Sequence, residues 1–83
     1  MIKSKQFNYG QWTVDLSLHV IDSPRFTDVY VTIYCVGTWT SVNGSMWEDW
    51  ECAKYDSPEL LSDKLKERII KVARKMMNSY WKE

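Results

Sequence analysis

The chain has no apolar run long enough to span a bilayer, and no charged-then-apolar leader of the secretory kind. A soluble, cytoplasmic protein with no membrane partner is the expectation. No motif for catalysis, metal binding or nucleotide binding stands out. Low-complexity tracts, internal repeats and linkers are absent too, and 83 residues leave no chain for a second core, so a single domain over 1–83 is expected. Net charge is zero.

What is present is aromatic and patterned. Five Trp and five Tyr are many for this length, and a composition 45% hydrophobic and 27% charged is that of a globular chain. The charge is segregated. Residues 1–56 hold four Lys and Arg against seven Asp and Glu, and residues 57–83 hold seven against four. The C-terminal third is therefore basic and the rest acidic. A sheet that gripped phosphates should be basic, and the sheet region here is acidic.

Trp12, Val14, Leu16, Leu18 and Val20 alternate with Thr13, Asp15, Ser17 and His19, the period of a strand buried on one face. Val29, Val31, Ile33 and Cys35 repeat it after Ser23-Pro24-Arg25-Phe26, where Pro presets a turn. Pairing Asp22 with Thr27 aligns Val20 with Val29, Leu18 with Val31, Leu16 with Ile33, Val14 with Cys35 and Trp12 with Gly37. A one-residue slip would bury polar groups. The first ten residues read as a lead-in or a short extra strand. Asn43-Gly44 reads as a hairpin turn between a strand ending near Ser41 and a third from Ser45 to Tyr55. That register sets Cys35 opposite Cys52 and Gly37 opposite Trp50. The close cross-strand pair would permit a disulfide, although an intracellular compartment favours two thiols. Ser57 as N-cap, Pro58 and Glu59 begin a helix. Its stripe is Leu61, Leu65, Ile69, Val72, Ala73, Met76 and Tyr80.

The expected fold is α+β: a three-stranded antiparallel β-meander with one long C-terminal helix packed on one face, β-β-β-α. The double-stranded-RNA-binding domain shares that layout, but this chain lacks its first helix and its lysine cluster, and layout alone carries no function.

One helix covers one sheet face. The other should present His19, Asp15, Tyr30, Tyr34, Trp47, Asp49, Glu51 and Tyr55. Tyr and Trp among acids have the composition of an interface. Strand propensity alone would also place such residues there. The functional expectation is a small non-catalytic module, an inhibitor or adaptor, that binds a protein with a basic surface. Size and Lys/Asn/Ile usage suit a phage or mobile-element origin. Ile70, Met77 and Trp81 form a second apolar stripe, for a homodimer or partner contact, unless strand ends fold over them. The alternative function is nucleic-acid binding by Lys64, Lys66, Arg68, Lys71, Arg74, Lys75 and Lys82, but these cations read as spread around the helix. No cofactor or metal is expected, because both thiols point to the core and His19 to the opposite face. Asp15 and His19 share a face but lack a nucleophile and a deep pocket.

Overall fold

A computed structural model describes residues 2–46 and 60–82. The chain is α+β, and its described residues form four strands rather than the expected three: β1 Ser4–Tyr9, β2 Trp12–Asp22, β3 Thr27–Val36 and β4 Ser41–Met46, followed by α1 Asp63–Trp81. The strands form one antiparallel sheet in the order β1-β2-β3-β4.

The β2–β3 hairpin has the register that side-chain alternation requires, from Asp22↔Thr27 through Val14↔Cys35 to Thr13↔Val36. Its turn is tied locally. Ser23 N–H donates to the Phe26 carbonyl at 2.9 Å, and Thr27 Oγ1 donates to Asp22 Oδ1 at 2.8 Å. The lead-in is a full strand. Tyr9↔Trp12 closes a two-residue loop in which Gly10 has φ 57. Both primed hairpin turns require that left-handed backbone at the first loop position, which glycine adopts without strain.

The Asn43-Gly44 expectation is wrong. Both residues lie inside β4, with Asn43 opposite Tyr34 and Gly44 opposite Ile33. The chain reverses at residues 37–40, where Gly37 N–H donates to the Thr40 carbonyl at 2.8 Å. The Trp12 ring fills the space beside Gly37; a Cβ there would sit 3.0 Å from the ring. This earlier turn lets Val42 and Met46 both reach the core, at 3% and 0% exposure. Cys35 accordingly pairs with Val42, which corrects the Cys35–Cys52 pairing. Cys52, Trp50 and the rest of the expected third strand beyond Met46 lie outside the described residues, as do Ser57 and Pro58.

Helix α1 starts at Asp63. Ser62 is its N-cap: its backbone is extended, and its hydroxyl accepts from Leu65 N–H at 3.2 Å. At about 1.5 Å per residue, the 19 residues span roughly 28 Å. The 11 residues of β2 span roughly 36 Å. The helix is therefore shorter than the face it covers.

The core contains Trp12, Val14, Leu16, Val29, Val31, Ile33, Cys35, Val42 and Met46 from the sheet. Leu61 and the helix residues Leu65, Ile69, Ala73, Met76 and Met77 complete it. Leu18, Val72 and Tyr80 are half-buried against it, and Val20 is exposed, where the alternation alone had placed all four in the core. Phe7 and Tyr9 bring β1 against the core edge, and the Arg68 guanidinium lies 5.2 Å from the Phe7 ring centroid.

Candidate functional site

The faces separate by residue parity. Alternate residues of β2 and β3 go under α1, and those between them form the face that α1 leaves uncovered. That face carries Thr13, Asp15, Ser17, His19 and Ile21 from β2, and Asp28, Tyr30, Thr32, Tyr34 and Val36 from β3. Asn8, Gln6 and Ser4 of β1 extend it on one side, with Ser41, Asn43 and Ser45 of β4 on the other.

Its centre is ordered by side-chain contacts. His19 pairs with Tyr30 across the strands, and the two rings stack at 5.1 Å between centroids with 17° between planes. His19 Nε2 also lies 2.9 Å from Thr32 Oγ1. Three side chains from two strands are thereby fixed relative to one another before any partner arrives. Tyr34, 43% exposed, sits between Asp15 on β2 and Asn43 on β4. Asp15, Ser17, Thr32, Tyr34 and Asn43 line a shallow depression floored by Gly44. Thr13 Oγ1 donates to Asn8 Oδ1 at 3.1 Å, which extends the polar surface onto β1.

Among the described residues of this face, the formal charges are Asp15 and Asp28, both half-buried. The face is thus weakly acidic and rich in hydroxyls and rings. Such a surface can accept hydrogen bonds and stack. On the covered side, burial together with the smaller effect of the negative Asp15 pushes the Cys35 thiol up to about 11. It is a neutral packing group at ordinary pH rather than a nucleophile. Among the described residues no three His, Cys, Asp or Glu side chains gather as metal ligands.

The structure brings His19, Tyr30, Tyr34 and Asp15 together. Trp47, Asp49, Glu51 and Tyr55 lie outside the described residues. A turn at Asn43-Gly44 would have set Thr32 opposite Tyr55, but Thr32 faces Ser45. The second stripe does not hold as an exposed patch. Met77 is buried in the core at 6% exposure, and Ile70 is half-buried against the core. Trp81 is exposed and meets Tyr80 edge-on at 5.0 Å. Met77 is drawn inward because the core face of α1 is wide enough to include it beside Ala73 and Met76.

Sequence reasoning missed Trp39. It stands in the β3–β4 connection, 92% exposed, just beyond the exposed Val36. Gly37 was the readable turn signal here, but Thr38-Trp39-Thr40 reads as strand and Asn43-Gly44 claimed the turn instead.

No family model, curated protein or solved structure matches this chain. No helix among the described residues is long and apolar enough to cross a membrane.

Proposed function

We propose that the protein is a non-catalytic binding module, an inhibitor or adaptor, that engages a protein partner through the uncovered sheet face. The observation that carries this reading is the preordered His19–Tyr30–Thr32 group beside the exposed Tyr34. Aromatic side chains already fixed in place lose little entropy on binding, which is what makes such residues effective anchors. Tyr30 and Tyr34 act as anchors and His19 as their brace. Asp15 favours a partner that brings Lys or Arg to the Tyr34 side of the patch. Trp47, Tyr55, Asp49 and Glu51 belong to the same proposal as further contacts. A cytoplasmic setting and a phage or mobile-element origin remain part of it, supported by composition alone.

The test is affinity capture with the intact chain, followed by titration of the captured protein in purified form. Tyr34→Ala should weaken binding by upwards of about 1 kcal/mol, more than fivefold, with an unchanged melting temperature. Equal affinity for the wild type and a Tyr30→Ala/Tyr34→Ala double variant would rule the sheet face out.

A further inference from the structure

We propose that the flank of α1 bordering β1 is a second binding surface, which takes the phosphate backbone of duplex nucleic acid. It is independent of the sheet-face reading.

The helical cations are not spread evenly. At about 100° per residue, Lys64, Arg68, Lys71, Lys75 and Lys82 fall within an arc of roughly 60°. Lys66 and Arg74 lie outside that arc. Lys64, Arg68, Lys71 and Lys75 border one depression, and Lys71, Lys75 and Lys82 border the next, where Arg74 joins them from outside the arc. Glu67 is the one acidic side chain among the residues lining the two. The contact of Arg68 with Phe7 places this flank beside β1. Lys5, opposite the buried Leu16, lies on the helix side of that edge strand and is exposed. It adds positive charge to the same border.

Glu67 offsets part of this charge, four residues before Lys71 and three after Lys64, but the remaining cations do not help the helix. Lys64 with Arg68, and Lys71 with Lys75, are like-charge pairs four residues apart, which destabilise a helix. Lys64 also sits in the first turn, at the positive end of the dipole. A flank evolved only for solubility would alternate signs instead.

The occupant follows from shape and chemistry. The cations make a nearly straight line of about 27 Å from Lys64 to Lys82, comparable to roughly eight base pairs of duplex. Among the described residues no aromatic side chain lines either depression, and Phe7 beside Arg68 is half-buried against the core, so these residues present no open platform on which single-stranded bases could stack. Lysines and an arginine in line, without rings, suit sequence-independent contact with a duplex backbone.

The experiment is fluorescence anisotropy of a labelled mixed-sequence DNA duplex titrated with the full chain. About five phosphate contacts give a log–log salt slope near −4.5, so raising salt from about 50 to about 200 mM should weaken binding by roughly 500-fold. Lys71→Glu/Lys75→Glu should lower affinity more than tenfold and reduce the slope by about 2. Lys71→Gln/Lys75→Gln should reduce the slope similarly, with circular dichroism confirming the fold. Tyr34→Ala should bind duplex like the wild type, which separates this result from failure of the sheet-face reading. The proposal is overturned by no duplex binding at the lower salt, or by unchanged binding in the folded Lys71/Lys75 variants. Tighter binding to a single strand of equal length, or to poly-glutamate, would overturn it as well.

Discussion

Leu16 and Tyr34 differ by one step of the β-sheet pleat and by everything that follows from it. Leu16 faces α1 and is 1% exposed, while Tyr34 faces away and is 43% exposed. The same two strands carry both, and Asp15, next to Leu16 in sequence, is the cross-strand partner of Tyr34. One helix can cover only one face of the sheet. Stability and recognition are therefore interleaved along each strand, and single substitutions can address them separately.

The sharpest way to break that comparison is to truncate the covered side. Leu16→Ala removes a buried side chain between β1 and β3 and should destabilise the chain by about 2–5 kcal/mol in urea unfolding. A loss under about 1 kcal/mol would mean that the covered face is not a packed core.

Cys35 probes the same side through pH. Its thiol is held at about 11, against an ordinary 9.0, chiefly by burial. Below about pH 9 it is neutral in both folded and unfolded chains and has no effect. Between about 9 and 11 only the unfolded chain ionises, so stability falls as pH rises, by about 2–3 kcal/mol in all. Cys35→Val should lack that component, which is read as the difference between the two stability–pH curves. Parallel curves would show that the thiol is solvated.

Smaller effects are expected at the margins. Ser62→Ala removes the cap on the Leu65 amide and should cost about 1 kcal/mol, measured by thermal melting. Restoration by Ser62→Asp would identify the cap as the cause. Trp39→Ala, in the exposed β3–β4 connection, should change stability by less than about 0.5 kcal/mol. A larger loss would place that ring against the protein rather than in solvent.

The two longer hairpins show what was legible in the sequence and what was not. In β2–β3, five apolar pairs support one register, and every alternative buries polar groups, so Asp22↔Thr27 could be read directly. In the next hairpin, a strong local turn signal at Asn43-Gly44 competed with a weaker one at Gly37. Tertiary packing decided between them: Trp12, on the neighbouring strand β2, lies over Gly37, and Val42 and Met46 both gain burial from the earlier turn. The β2–β3 register already set Trp12 opposite Gly37, but that a ring over this glycine marks the end of β3 has no local signature. The Gly10-Gln11 loop was missed for a related reason, since only one of its two residues is a turn former. On the uncovered face, His19–Tyr30 and Asp15–Tyr34 followed from the β2–β3 register, whereas Thr32–Tyr55 depended on the misplaced turn and fell with it. The basic line on α1 was overlooked because all seven cations were taken together as spread around the helix, and Lys66 and Arg74, which lie off the line, masked the alignment of the other five.

The account's central claim is that the uncovered face is the contact surface. Covalent side-chain labelling of the free chain and of its complex with the captured partner tests it most directly. Tyr34 is expected to become strongly protected in the complex, with Tyr30 following, while labelling of Lys71 and Lys75 stays as in the free chain. Protection of Lys71 and Lys75 with Tyr34 still open to the reagent would contradict the claim and place the partner on the helix.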